Sequence, residues 1–155
     1  MSDLEQTLQR IVDENEIRDL VARFVDTCIL GNHDGFRELW AEDGLWEIGA
    51  PFNARIEGIE AIVDMLHRLR DERTYFTQLI PTGVIEIDGD RASARWPVRE
   101  VAQGPGETYY DNLAMYFDSF TKINGEWKFA RRSYKYMWLN TEPFAGTAFG
   151  TPSDD

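Results

Sequence analysis

The chain has 155 residues, 43% apolar and 13% aromatic, which is one domain's worth with enough apolar material for one sizeable core. Its 28 acidic and 16 basic side chains leave a formal charge of -12, which repels phosphate backbones and anionic lipid and argues against nucleic acid or membrane as a partner. No apolar run reaches the roughly 20 residues of a spanning helix and MSDLEQTLQR lacks a signal-peptide layout, so the cytoplasm is the expected compartment. Cys28 is alone, which excludes an intramolecular disulfide and fits a small buried apolar group. His33 and His67 offer no zinc-ligand spacing, and no glycine-rich turn opens a helix over a phosphate, so neither metal nor cofactor is expected.

Residues 4–30 carry a helical stripe of Ile17, Leu20, Val21, Phe24, Val25 and Cys28, which needs a broad apolar partner. Gly31-Asn32 ends that helix, and Asp34 is expected to cap a short one finishing near Trp40. LWEIG and NARIEG then read as two short strands around Ala50-Pro51-Phe52. A second helix runs from about Ile59 to Arg70 with Ile59, Ile62, Val63, Leu66 and Leu69 inward and His67 at the boundary of that stripe. From Tyr75 the period changes to two, and strands are predicted over 76–87, 91–102, 108–123 and 126–139, joined by Asp-Gly-Asp, Gly-Pro-Gly and Asn-Gly turns. Helices followed by an antiparallel meander define an α+β layout over residues 1–140 as a single domain, with a flexible Gly/Pro/Thr-rich tail at 141–155.

Alternation assigns faces. Gln78 interrupts an apolar face that also holds Phe76 and Ile80, and Glu100 is the odd member of the face formed by Ala92, Ala94, Trp96 and Val98. On the last strand both faces mix charge with apolar bulk: Arg131, Ser133, Lys135 and Met137 on one, Arg132, Tyr134, Tyr136 and Trp138 on the other. The first is read as lining a pocket and the second as an interface between subunits. The pocket wall expected from the helix stripe and strand parity is Phe24, Ile29, Trp46, Leu66, Phe76, Trp96, Val98 and Met137, with Tyr75 at its rim as a further ligand contact.

EIRDLVARF, FRELWAEDGLWEI, IEGIEAIVDML, VIEIDGDRASARW and YFDSFTKINGEWKF, in this order and spacing, resemble the SnoaL-like branch of the nuclear transport factor 2 superfamily over nearly the whole chain. The resemblance implies a cone-shaped fold in which a curved antiparallel sheet wraps a long N-terminal helix around an apolar pocket, in homodimers or homotrimers. Eliminating members of that superfamily use a histidine base oriented by an aspartate of the first helix, a division that suits a base with a pKa near working pH. Those two positions fall here on Gln78 and Ile29, so the dyad is read as absent, while Lys135 falls where dehydrochlorinase-like members carry a basic residue. The expected function is binding of a small, largely apolar or aromatic molecule, with Gln78, Glu100 and Lys135 as candidate catalytic groups. A cofactor-independent dehydratase, isomerase or cyclase using another constellation, with His67 or Tyr75 supplying the base, and a non-catalytic assembly subunit are the alternatives.

Overall fold

In the computed structural model, which describes residues 1–154, the chain opens with helix α1 (Asp3–Leu30). Ser2 and Glu5 cap its first turn reciprocally, and Gly31, at φ 74°, closes it in the left-handed conformation that glycine adopts without strain. Ile17, Leu20, Val21, Phe24 and Cys28 are buried. The short helix α2 (His33–Glu38) is capped by Asn32, whose side chain accepts from the Gly35 amide at 3.0 Å, and not by Asp34, which lies inside its first turn. β1 (Trp40–Ile48), β2 (Ala54–Glu57) and α3 (Ile59–Asp71) follow, then β3 (Tyr75–Leu79), β4 (Val84–Asp88), β5 (Arg91–Gln103), β6 (Tyr109–Ile123) and β7 (Glu126–Asn140).

The seven strands form one open, curved sheet in the order β2-β1-β7-β6-β5-β3, with β4 also paired to β5. β5, β6 and β7 make the expected antiparallel meander, whereas β1 joins β7 in parallel. The single strand expected over 76–87 is two strands, β3 and β4, both antiparallel to β5 and separated by residues 80–83. Pro81 has no N–H for the ladder there. Gly83 then presses so close to β5 that a Cβ would lie 2.3 Å from the Arg95 carbonyl oxygen and 2.5 Å from the Trp96 ring. Residues 141–154 carry no regular element; Phe144 packs edge-on against Tyr109 at 4.9 Å, and the Thr151 hydroxyl donates to the Ile29 carbonyl at 3.5 Å.

Inward parity on β5 is as the alternation requires, with Ala92, Ala94, Trp96 and Val98 buried. On β7 the two faces are reversed from the sequence reading: Arg132 and Tyr134 are buried and Tyr136 half-buried, while Lys135 is exposed and Met137 is 62% exposed. The reason is electrostatic. Arg132 stands directly opposite Asp118 on β6, the two side chains are fully buried, and Arg132 Nε lies 3.1 Å from Asp118 Oδ1. The guanidinium carbon also sits 3.6 Å from the centre of the Tyr116 ring, 4.2 Å from Phe24 and 4.7 Å from Phe129, so a cation that alternation alone would send to solvent is held in the core. Bulges in the β6–β7 ladder next to Ala114 and Phe120 shift the register, and beyond the first of them Trp138 turns outward, 47% exposed. Burial pushes the Asp118 carboxyl up to about 6, against the pull of Arg132.

A second polar tie joins α1 to the far end of the sheet. Asp13 accepts from Lys122 Nζ at 2.6 Å and from Trp127 Nε1 at 3.0 Å. Burial alone would raise its carboxyl, but these donors outweigh it and hold it below the usual range. Breaking the Arg132–Asp118 pair from one side should be worse than removing it. Asp118→Leu is expected to lose about 3–5 kcal/mol in urea unfolding, and Asp118→Leu/Arg132→Met to recover a large part of that loss, because the single variant strands a buried cation.

Candidate functional site

Between α1, α3 and the inner face of the sheet lies a chamber of about 60 Å³. Phe24 and Cys28 from α1, Trp46 and Ile48 from β1, and Leu66, Leu69 and Arg70 from α3 form three of its walls; Arg73, Phe76, Gln78, Glu100, Tyr116, Tyr134 and Tyr136 complete it. It adjoins a vestibule of about 340 Å³, with which it shares Ile48, Leu69, Arg73, Glu100 and Tyr136. The chamber alone is smaller than a typical ligand site of roughly 300 Å³ or more, and the vestibule brings the space into that range.

Three side chains from three adjacent strands form the chamber's polar centre. Gln78 and Glu100 are direct cross-strand partners on β3 and β5, so their side chains leave the sheet on the same face. Gln78 Nε2 donates to Glu100 Oε2 at 2.7 Å and to the Tyr116 hydroxyl at 3.0 Å, and Asn112 Nδ2 reaches Glu100 Oε1 at 3.5 Å. A carboxylate only accepts, which fixes the Gln78 amide with its nitrogen toward Glu100. Its oxygen is thereby left buried without a protein partner, as is the Tyr134 hydroxyl. Burial raises the Tyr116 and Tyr134 phenols above their usual range and pushes the Cys28 thiol up to about 12, so all three stay protonated at neutral pH and serve as donors or packing groups rather than bases.

Of the residues singled out from sequence, Phe24, Trp46, Leu66, Phe76, Gln78 and Glu100 meet in the chamber. Ile29 is half-buried against the core and outside the lining, where its neighbour Cys28 stands instead. Tyr75 pairs with Gln103 at the start of β3 and is likewise not in the lining. Trp96 and Val98 are buried outside the chamber lining and face an open groove against α1 that Met137 also borders and that shares Gln78 with the chamber. Lys135 lies on the outer face with its ammonium 5.1 Å from the centre of the Phe117 ring. His67 stacks on His33 at 3.7 Å, away from the chamber, and burial followed by His67 lowers the His33 imidazole. Sequence reasoning missed Tyr116, Tyr134, Tyr136, Arg70 and Arg73. The parity of β6 carried a usable signal for Tyr116, which shares a face with Ala114, Asp118 and Phe120.

Among the described residues no three metal-ligating side chains gather, and no helix is long and apolar enough to cross a membrane. Residues 9–133 match the model of the SnoaL-like domain, and the chain belongs to that family. None of the curated proteins compared is a recognisable match by sequence. Among solved structures, a type 2 hexachlorocyclohexane dehydrochlorinase superposes with a TM-score of 0.82 at 19% identity, covering 94% of this chain and 98% of that one. A provisionally named scytalone dehydratase from Novosphingobium aromaticivorans gives 0.78 at 18%, covering 96% and 98%. A nuclear transport factor 2-like protein of cystatin-like fold from the same organism gives 0.74 at 22%, covering 87% and 88%. Such identities establish the fold and carry no residue's role across.

The polar centre makes a pH-dependent prediction. Gln78→Glu would set two carboxyls in hydrogen-bond contact, so one of them holds its proton in the folded state with a raised pKa. That proton's contribution is present below the unfolded value of about 4.3 and lost as pH rises through the raised folded value. Relative to wild type, the variant should therefore lose stability between about pH 5 and 8 in urea unfolding. A difference that stays flat across that range would mean that the two side chains do not touch.

Proposed function

We propose that the protein binds a small, largely apolar or aromatic organic molecule in this chamber, and that it does not run the histidine–aspartate elimination implied by its family resemblance. The observation that carries this reading is the Gln78 amide, held between Glu100 and Tyr116 in the position the resemblance gives to the base. An amide has no useful basicity near neutral pH, and neither histidine of the chain lines the chamber. Aromatic walls with a few convergent polar groups suit recognition of a flat ligand. A second reading, a dehydratase-type or isomerase-type lyase, draws its support from the Glu100–Gln78–Tyr116 chain, in which a carboxylate acceptor and a protonated phenol stand as a base and an acid.

The outer face of the sheet supports a homodimer or homotrimer. Leu113, Phe117, Met137 and Trp138 are all exposed there, with Lys135 lying over Phe117. These residues take the place of Tyr134 and Tyr136, whose side chains face the chamber. A patch of this kind is one that monomers seldom leave uncovered. The acidic composition and the single buried cysteine fit a cytoplasmic setting without nucleic-acid partners.

Two measurements test the reading. Nile red, an uncharged apolar dye, should bind saturably with a blue-shifted emission, and Ile48→Trp should weaken that binding about tenfold or more with an unchanged circular-dichroism spectrum, since the larger side chain fills the chamber's mouth. Binding that ignores the substitution would move the ligand site elsewhere. Wild-type protein should release no chloride from hexachlorocyclohexane above background, whereas Gln78→His, with Glu100 beside it as orienter, should gain roughly a hundredfold, the lower end of general-base catalysis. Efficient elimination by the wild type would overturn the proposal.

A further inference from the structure

Arg70 and Arg73 line the chamber where α3 ends and β3 begins, and Arg73 lines the vestibule as well. Among the described residues neither guanidinium has an ion-pair or hydrogen-bond partner, although the chain carries 28 acidic side chains against 16 basic ones. Most other arginines are gripped by carboxylates: Arg37 holds Glu60 through both terminal nitrogens at 2.6 and 2.7 Å, and Arg99 holds Asp111 through two contacts at 3.2 and 3.1 Å. Arg68, Arg91 and Arg95 also lack a carboxylate partner, but they are exposed, whereas Arg70 and Arg73 are half-buried. Packing, not charge, positions the two in the chamber. Arg73 lays its guanidinium 4.6 Å from the centre of the Phe76 ring, and Arg70 lies alongside Gly31, with Nη2 3.3 Å from the point a Cβ would occupy. Both forks are held in the site with their donors unspent, and both are half-buried, where a charge-assisted hydrogen bond is worth more than at the open surface.

The chamber's remaining polar groups offer the ligand a second point of attachment: Gln78 lies on the same buried face of β3 as Phe76, roughly 7 Å further along the strand. The Gln78 oxygen is a buried acceptor without a protein partner, Glu100 beside it accepts only, and the Tyr134 hydroxyl is also unpartnered. This point requires a hydrogen-bond donor and disfavours an anion. A ligand that satisfies both points carries its carboxylate at Arg70 and Arg73, a flat ring among Phe24, Trp46 and Phe76, and a hydroxyl at Gln78 and Glu100.

Building on the ligand-binding reading above, we propose that the ligand is a hydroxylated aromatic carboxylic acid, its carboxylate bound by Arg70 and Arg73 and its hydroxyl by Gln78 and Glu100. The planar, bidentate match of guanidinium to carboxylate supplies the selection for an acid over its neutral esters. The test is isothermal titration of the full chain with para-hydroxycinnamate and with its methyl ester, which has the same ring and hydroxyl but no charge. Wild-type protein should bind the acid at least about tenfold more tightly than the ester, the increment of one charge-assisted hydrogen bond. Arg70→Gln/Arg73→Gln should bring the ratio of acid to ester affinity to about one, with each single variant falling between. Equal wild-type affinities for acid and ester would overturn the anion site while leaving the chamber reading intact, whatever the variants do. Failure of both compounds to bind, with Nile red still bound, overturns this ligand class alone; failure of Nile red as well removes the chamber reading with it.

Discussion

The buried guanidinium of Arg132 is the constraint around which the interior is arranged. Three aromatic rings and one carboxylate surround it, drawn from three elements: Phe24 from α1, Tyr116 and Asp118 from β6, and Phe129 from β7 itself. A pair of this kind adds little net stability over an apolar replacement of the same volume. Its effect is positional. Asp118 and Arg132 are cross-strand partners, so a one-residue slip between β6 and β7 would separate them and strand two charges in the core. Phe24 and Tyr116, which flank the guanidinium, are also walls of the chamber, and the same contact that locks the register therefore sets the chamber floor.

From that floor the polar groups build outward in a determinate order. Tyr116 stays protonated through burial and accepts from Gln78, and Gln78 can turn only its nitrogen toward Glu100. Each member's orientation follows from its neighbour's, which is how a short hydrogen-bonded chain excludes alternative arrangements. What is left over is a buried carbonyl oxygen beside Glu100 and two arginines without ion pairs, so the chamber lining holds both an unmet acceptor and unmet donors.

Much of this was legible in the sequence, and the failures have physical causes. The α1 stripe, the β5 parity and the two misfits, Gln78 and Glu100, all follow from burial on a period of 3.6 or 2, and they lie where those periods place them. The faces of β7 were not legible, because each mixes charge with apolar bulk and carries an arginine, and what turns the Arg132 face inward is Asp118 on the next strand, brought opposite it by a β6–β7 register that two bulges offset. Lys135 and Met137 were assigned inward for the same reason that Tyr134 and Tyr136 were assigned outward. The split of 76–87 into two strands was marked by Pro81, which cannot serve a central ladder. Arg70 and Arg73 sit at and just beyond the end of a helix, where a charged side chain would ordinarily be solvated, and only the packing of α3 against β1 and β2 brings them to the chamber.

The chamber's chemistry is separable from the fold's stability. Phe24, Phe36, Trp40, Trp46 and Phe129 form a contiguous aromatic cluster with ring centres 5.2 to 6.3 Å apart, and it anchors α1 and α2 to the sheet through offset and edge-on contacts. Asp13, Lys122 and Trp127 hold the opposite end of α1. None of these interactions involves Gln78, Glu100, Arg70 or Arg73. Exchanging an imidazole for an amide at the chamber's centre therefore alters one hydrogen-bonded chain and leaves the packing that makes the cavity untouched. A fold arranged in this way accepts changes of reaction, or the loss of one, as changes of a few side chains. On the proposed reading, Gln78, Glu100, Arg70 and Arg73 are those side chains in this chain.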